Sequence, residues 1–373
     1  MSSIALGRFS AAVIATNLIV GVAAFASNLS PVEPDVAPIQ DGEETHSMEK
    51  ELKLGMAYFI GQGVVQDRKL AAFWYEKAAK AGDPVAQLQM GYLYQAGLGV
   101  HRDEVLAVHW YQLAAAGGLT NAKVNLGVAY MWGVGVQKNQ ALAGKLFEEA
   151  AAKGNGLAAC YLGDMYYFGD GVSQDKAAAR RWFEDGARLH DPQATFHLAS
   201  LFLSDKSSRH KEAELLREAA RAGYVPAMLS LGHLLVDNPE LSKSQEEAMT
   251  LLDKSAAAGT WRSSVILGIV ARDGRGRPQD SKAAYYHFRV AALQGGEEAE
   301  RLVANDARIL SAKLNTDEKA AIDSEAERWS QEHRVALQFV YNDGDNRKGI
   351  PAFAFASPNG RTHALELVPT PPM

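Results

Sequence analysis

The chain contains a single cysteine, Cys160, among its 373 residues, so no disulfide can form within it. Cys160 lies three residues before Gly163, at a position where comparable segments of the chain carry Leu, Val or Phe. A small cysteine at an apolar position is typical of a buried packing residue, and we predict that role for Cys160. A reactive thiol is the alternative.

Basic clusters and catalytic motifs are also missing. The formal net charge is −6 and no stripe of Lys and Arg is present, which argues against nucleic acid as the main partner. The ten histidines form neither an H-E-x-x-H motif nor a Cys/His zinc pattern. Ser47 and Lys50 match S-x-x-K, but the companion S-D-N and K-T-G motifs of penicillin-recognising enzymes are absent. The sequence therefore predicts no catalytic residue, no metal site and no cofactor.

The N-terminus carries an apolar run that is short for a membrane span. Residues 11–25 are mostly apolar, whereas a span needs about 20 apolar residues. The run follows Arg8 and ends at Ala24-Phe25-Ala26, which has the small-x-small form of a signal-peptidase site. We therefore predict a signal peptide at residues 1–26, with an uncleaved N-terminal membrane anchor as the alternative, and we expect membrane contact only if the segment is uncleaved.

A linker is expected next. Residues 27–47 contain three prolines and five acidic residues, but no Lys or Arg. Such a composition buries little apolar surface and favours an extended chain, so we predict a disordered spacer here.

What the sequence does contain is a segment of 36 residues that recurs along most of the chain. Each copy has a glycine, usually after Leu or Met, and an aromatic or apolar residue three positions later. The fifth copy has alanine in place of the glycine and is three residues shorter than the others. A fixed period of this length indicates stacked supersecondary units. The reference positions are Gly55, Gly91, Gly127, Gly163, Ala199, Gly232 and Gly268.

Each repeat is predicted to form a pair of helices. In the second repeat, Asp83 and Pro84 form a helix start, because the aspartate can accept an N–H and proline needs no N–H there. Gly97 and Gly99 end this helix, and Asp103 caps the next one. The same capping position in the other repeats holds Asp67, Asn139, Asp175, Ser208, Ser244 and Asp280.

The full pattern A-x3-[LM]-G-x2-Y-x2-G-x-G-V-x2-[DN]-x3-A-x-x-W-[YF]-x-x-A-A-x2-G resembles the Sel-one-like repeat, a relative of the tetratricopeptide repeat, over about residues 48–300. The resemblance implies an all-α fold, an α/α solenoid of about seven helix-turn-helix repeats wound as a right-handed superhelix. It also implies a C-terminal helical cap, which we place at residues 301–334, with a second cap helix from about Thr316 to Glu332. Residues 335–373 are expected to form an irregular tail or a short β-meander.

A binding surface is predicted on the first helices of the repeats. Solenoids of helix pairs bind partners on the concave face that these helices line. The positions one, four and five residues after the reference glycine point away from the Leu/Tyr core face, and they are rich in aromatic residues and Met. We predict that they bind a protein or peptide partner, the alternative being that they pack against the next repeat. The predicted residues are Met56, Phe59, Tyr92, Gln95, Met131, Trp132, Asp164, Tyr167 and Phe168.

The resemblance also implies a function. It favours a non-enzymatic protein–protein interaction scaffold or adaptor, exported to the bacterial periplasm or cell envelope, which could regulate a signalling or envelope-assembly partner. A membrane-anchored cytoplasmic scaffold for cell division or polarity is a second hypothesis. An envelope hydrolase acting on peptidoglycan or a β-lactam is a third.

Overall fold

The structure of the chain is a computed structural model, and it describes residues 47–341 except 203–205, 245 and 276. The described residues form fifteen α-helices and two short 3-10 helices, with no β-strand among them. They fall into two compact units, one ending at Leu189 and the other beginning at His190. The predicted all-α fold of repeated helix pairs is confirmed.

The N-terminal unit contains four repeats, each made of two helices. Its helices are α1 (Ser47–Ile60), α2 (Arg68–Lys80), α3 (Pro84–Ala96), α4 (Glu104–Ala116), α5 (Thr120–Trp132), α6 (Gln140–Ala151), α7 (Gly156–Phe168) and α8 (Lys176–Arg188). Each helix packs against the next one in the chain, so that every repeat covers the apolar face of its neighbour.

The C-terminal unit contains three further repeats and a helical cap. Its helices are α9 (Pro192–Ser200), α10 (Arg209–Arg221), α11 (Val225–Asp237), α12 (Glu247–Ala257), α13 (Trp261–Asp273), α14 (Ser281–Ser311) and α15 (Thr316–Tyr341). The backbone of α14 breaks at Gly296 (φ 59°, ψ −149°), so its first part completes the seventh repeat and its second part begins the cap. No helix in the described part of the chain is both long and apolar enough to span a membrane.

Aspartate and asparagine caps set the helix starts, as predicted from the sequence. In the first repeat, the Asp67 carboxylate accepts from the backbone N–H groups of Lys69 (2.8 Å) and Leu70 (3.1 Å). Two predicted serine caps are wrong. Ser208 makes no side-chain cap hydrogen bond to α10. The residue before α12 is Glu246, not Ser244, because the loop of this repeat has lost the usual turn.

A glycine lets the two helices of each repeat touch. The ring of Phe147 in α6 lies directly over Gly127 in α5, and a Cβ on that glycine would stand 2.6 Å from a ring carbon. Equivalent rings or side chains cover the other reference glycines. Side chains from both helices then close over this contact, and Phe147 is completely buried. The sequence analysis identified the recurring glycine but not the ring that covers it.

The glycine-rich loop joins each repeat to the one before it. Gly99 has a φ of 75°, and a Cβ there would lie 2.0 Å from the carbonyl oxygen of Arg68, at the start of α2. Only a residue without a side chain allows this approach. The loop that leads into α4 is therefore held against the first turn of α2.

The sixth repeat lacks the glycine loop and holds its connection with a buried ion pair instead. Arg217 in α10 donates from Nε to Glu247 Oε1 at 2.6 Å and from Nη2 to the Leu241 carbonyl at 2.8 Å. Glu247 also accepts from the backbone N–H of Lys243 at 2.6 Å. These bonds satisfy the polar groups of a loop that has no regular turn to satisfy them.

The C-terminal cap differs from its predicted outline. α15 begins behind Asn315, whose side chain accepts from the N–H of Glu318 (2.9 Å), while Glu318 accepts from the N–H of Asn315 (3.0 Å). The predicted cap at this position is confirmed. The helix then continues to Tyr341, beyond the predicted end near Glu332, so residues 335–341 are helical. The β-meander proposed for the rest of the tail lies outside the described residues.

Candidate protein-binding surface

Three of the nine predicted binding residues are interior, and the expectation that they point outward was wrong. Met56, Tyr92 and Met131 are 7%, 8% and 4% exposed. Met56 and Tyr92 belong to a hydrophobic cluster in the first two repeats, and Met131 belongs to the cluster around Phe147. Each first helix is enclosed by helices of its own and neighbouring repeats, so a position facing away from one core faces another.

The other six predicted residues are partly exposed in the N-terminal unit. We call them the first-helix surface: Phe59, Gln95, Trp132, Asp164, Tyr167 and Phe168. Each lies in the last two turns of a first helix, so the surface follows one end of α1, α3, α5 and α7.

Aromatic contacts and one hydrogen bond fix part of this surface. The Phe59 ring packs at 6.5 Å from the Tyr75 ring and 6.4 Å from the Tyr92 ring, between centroids. Gln95 is held by the Tyr111 hydroxyl, which donates to its Oε1 at 2.7 Å. Burial raises the pKa of Tyr111, so its hydroxyl stays a donor at neutral pH.

A shallow pocket brings four of the predicted residues together. Its walls combine apolar and aromatic side chains with two carboxylates. The lining residues are Met131, Trp132, Tyr161, Asp164, Met165, Phe168 and Asp170. Of these, Met131, Trp132, Asp164 and Phe168 were predicted.

The sequence reading missed Tyr161, Met165 and Asp170. Tyr161 lies two residues before the reference glycine of the fourth repeat, and only positions after that glycine were considered. Asp170 follows Gly169, whose φ of 76° ends α7 and turns the chain across the pocket. A search of positions on both sides of the glycine would have found the tyrosine.

The pocket combines negative charge with aromatic faces. Both of its charged lining residues are aspartates, and no Lys or Arg lines it. Aromatic faces attract cations in addition to carboxylates. The neighbouring ring of Tyr167 illustrates the attraction, because Lys176 Nζ lies 5.7 Å from its centroid.

Two titratable groups with strongly shifted pKa values, Glu212 and His287, lie in the C-terminal unit. Burial raises the pKa of Glu212 to about 7, against the opposing charge of Arg209. Burial also lowers the pKa of His287 to about 4. Shifted groups are candidates for catalysis when a second group is placed to exchange a proton. In both cases desolvation is the largest cause, which is the signature of a buried structural group. Cys160 is completely buried as well, as predicted.

Comparison with known families and structures gives a consistent result. A family model described as the Sel1 repeat matches residues 51–83, 84–119, 120–155, 156–191, 225–260 and 266–296, more than half of the chain. No match was found among curated proteins. The fifth helix pair, α9 and α10, falls between two matched segments.

Several solved structures are similar to the chain. A Sel1 repeat protein from Oxalobacter formigenes is 28% identical with a TM-score of 0.52, covering 66% of this chain and 99% of its own. The protective antigen c5321 from uropathogenic Escherichia coli, described as having an SLR fold, is 24% identical with a TM-score of 0.43, over 80% of this chain and 73% of its own. The immunity protein Pa5087 from Pseudomonas aeruginosa is 18% identical with a TM-score of 0.36, over 57% and 81%.

Proposed function

The chain belongs to the Sel1 repeat family, whose members are generally protein–protein interaction scaffolds, and we propose that it is a non-enzymatic scaffold that binds a protein partner on its first-helix surface. The partner would lay an exposed segment along the ends of α1, α3, α5 and α7. This proposal concerns the N-terminal unit alone.

The pocket is the observation that carries the proposal. Partly exposed Trp132 and Phe168 stand beside Asp164 and Asp170, on a floor that includes the buried Met165. Aromatic side chains in partly desolvated pockets contribute a large share of binding energy at protein interfaces. The two carboxylates select a Lys or Arg of the partner, since a cation gains both ion pairing and contact with the rings. A lysine or arginine flanked by apolar residues is therefore the expected anchor.

A scaffold fits the chemistry of this surface better than an enzyme does. The pocket is shallow, and it holds no serine, cysteine or histidine among its lining residues. Nucleophilic catalysis needs a nucleophile with a base in hydrogen-bonding reach, and acid–base catalysis needs a second placed group. Sel1 repeat proteins are typically non-catalytic scaffolds, which supports the same conclusion.

Photocrosslinking in cells tests the proposal directly. A photoreactive phenylalanine derivative in place of Phe168 should yield a covalent adduct with one protein. The same photoreactive residue in place of Arg181, which is exposed on α8, provides the control. The adduct at position 168 should weaken when Asp164 and Asp170 are replaced by asparagine. No protein adduct at 168, or the same adducts at both positions, would contradict the proposal.

We further propose that the scaffold acts in the bacterial periplasm or envelope, where it regulates a signalling or envelope-assembly partner. The support is the N-terminal sequence, with its apolar residues 11–25 and the Ala24-Phe25-Ala26 site. Mass spectrometry of the mature N-terminus decides between the alternatives. A chain that starts near Ser27 supports export, whereas an intact Met1 supports an anchored scaffold.

A further inference from the structure

A second surface, separate from the first-helix surface, exposes large hydrophobic side chains. It lies on the loops and second helices of the first two repeats, and its residues are 37% to 88% exposed. We call it the outer patch: Val65, Leu70, Phe73, Val105, Leu106 and Leu113. Clustered exposure of this kind marks an interaction site, whereas single exposed hydrophobics are common.

The fold does not require all of these residues to be apolar. Phe73 is the sixth residue of α2, and the sixth residues of α6 and α8 are Lys145 and Arg181. Leu113 is the tenth residue of α4, and the tenth residue of α8 is Asp185. The corresponding positions in repeats three and four are therefore charged on the same outer side of the same fold. At these two positions an apolar side chain occurs only in repeats one and two, and in one of them each time, because His109 is the sixth residue of α4 and Lys77 is the tenth residue of α2. The position of Leu70 and Leu106 is apolar throughout, with Leu142 in α6 and Ala178 in α8.

The backbone makes the patch continuous between these two repeats. Gly99 lies close against the Arg68 carbonyl, which brings the loop before α4 to the first turn of α2. Leu70 stands in that first turn, and Val105 stands in the first turn of α4. The loop that leads into α4 therefore lies against the start of α2, and exposed aliphatic residues occupy the first turn of both second helices.

Positive charge accompanies the apolar residues on α2, whereas α4 carries no Lys or Arg. α2 carries Arg68, Lys69, Lys77 and Lys80 against a single acid, Glu76. Lys77 Nζ lies over the patch, 5.7 Å from the ring centroid of Phe73 and 5.1 Å from that of Trp74. One salt bridge joins Lys80 to Glu76 at 2.8 Å, and Lys77 lies 3.6 Å from Glu51. α2 nonetheless keeps an excess of three positive charges.

From this combination we propose that the outer patch docks on an anionic membrane surface. Apolar and aromatic side chains set between lysines are the composition of helices that lie in the membrane interface. The aliphatic side chains enter the boundary between headgroups and acyl chains, while the lysines remain at the headgroups. A protein partner would need acidic groups placed around a matching apolar ridge, whereas an anionic bilayer offers negative charge to every lysine at once.

The position of the patch in the chain agrees with this occupant. It lies in the first two repeats, which directly follow residues 1–46 with their apolar run at 11–25. If that run anchors the chain, the first repeats are the part of the solenoid closest along the chain to the bilayer. A docking patch there would hold the scaffold against the bilayer, with the first-helix surface kept for its partner.

Site-specific fluorescence tests the proposal on the full chain. The native Cys160 is completely buried and will not react with a label under native conditions, so a single added cysteine can be labelled selectively. Val65→Cys, labelled with an environment-sensitive dye, reports on the patch, and Ser173→Cys at the equivalent loop position of the fourth repeat is the matched control. Vesicles of phosphatidylglycerol should shift the emission of the label at 65 to the blue, and a lipid-borne quencher should reach it. Phosphatidylcholine vesicles should have a much smaller effect.

Charge variants separate docking from insertion of the N-terminal segment. Lys69→Gln should weaken the response at position 65 by about fivefold, as expected for one lysine at an anionic surface, and high salt should weaken it too. Arg181→Gln, an exposed charge in the fourth repeat, should leave it unchanged. Equal responses at 65 and 173, a response indifferent to lipid charge, or none at all would overturn the proposal. A response that depends on protein concentration without vesicles would also overturn it, in favour of a second copy of the chain.

Discussion

Replacing Gly127 by alanine isolates the contact on which each repeat is built. The glycine is the eighth residue of α5 and has ordinary helical geometry. The new Cβ would stand 2.6 Å from Cε1 of Phe147 and 3.0 Å from Cδ1 and Cζ. Carbon atoms in favourable contact are about 3.5–4.0 Å apart, so the ring would have to retreat by about 1 Å. Phe147 has no room for this, because it is completely buried and stacked on Tyr161 at 4.9 Å.

Two opposing effects decide whether Gly127→Ala raises or lowers the free energy of unfolding. Alanine is favoured over glycine inside a helix by about 1 kcal/mol. Overpacking a core costs about 1–3 kcal/mol, and a ring confined on both faces belongs at the upper end. We therefore expect Gly127→Ala to destabilise the N-terminal unit by about 1–2 kcal/mol.

Gly144 provides the matched control in the partner helix of the same repeat. A Cβ on Gly144 would meet the flexible end of Met165, with Cε at 3.2 Å. The methionine can move aside, so Gly144→Ala should keep most of the helix gain and stabilise by about 0.5–1 kcal/mol. Urea unfolding followed by circular dichroism measures both variants, with m-values compared to detect any loss of cooperativity. Shifts of the same sign and size for both glycines would refute the reasoning.

The fifth repeat suggests a rescue for the unstable variant. At the positions equivalent to Gly127 and Phe147, it carries Ala199 and Leu216, both buried. Phe147→Leu in the Gly127→Ala background should therefore cost less than the sum of the two single changes, since the two residues touch. Additive costs would show that the ring is not the obstacle.

Three further experiments, with five substitutions between them, test other parts of the structure. Tyr75→Phe should stabilise the protein by about 1 kcal/mol, because the hydroxyl of Tyr75 is buried and has no hydrogen-bond partner. Tyr111→Phe should destabilise it by about 1 kcal/mol, because the hydroxyl of Tyr111 donates to Gln95. Thermal unfolding compares the two variants. Burial raises the pKa of Glu212 to about 7, so the folded state holds this proton more tightly than the unfolded state does. The free energy of unfolding therefore falls as pH rises from about 5 through 7. Glu212→Gln should remove that loss, with a gain of up to about 3 kcal/mol at pH 8 and little change at pH 5. Gly99→Ala should cost about 2 kcal/mol more than Gly118→Ala, since both need positive φ but only Gly99 meets a backbone carbonyl; equal costs in urea unfolding would contradict this.

The repeat period predicted the architecture because equivalent residues of successive repeats occupy the same structural environment. A glycine that returns every 36 residues in four successive repeats marks a position where the fold has no room for a side chain, and Gly127 under Phe147 shows the reason. The aspartate and asparagine caps were predictable for a similar reason, since a side-chain acceptor at a helix start acts locally. The serine caps failed in the repeats whose loops differ, where Arg217 and Glu247 replace the regular turn with long-range bonds.

The burial of Met56, Tyr92 and Met131 could not be predicted from helical periodicity. In α3 all eight residues from 86 to 93 are buried, so the helix has no polar face over two turns. A periodicity of 3.6 residues identifies one buried face, and it has no signal for a helix enclosed on nearly all sides. Only the last turns emerge, which is why the first-helix surface is formed by helix ends. The apolar residues 335–341 were similarly ambiguous, since a short apolar run fits a strand or a helix equally well.

Exposed positions do not follow the repeat pattern, and the differences between repeats are informative. Equivalent positions in different repeats share backbone conformation and surroundings, so the fold places the same requirement on each of them. A change of residue type between repeats therefore points to a requirement other than folding. Phe73 in α2 and Arg181 in α8 occupy the same outer position, as do Leu113 and Asp185. An exposed apolar residue lowers solubility, and the outer patch places several of them in two adjacent repeats beside the lysines of α2. We therefore attribute them to an interaction outside the folded chain, for which the outer patch is the proposed surface.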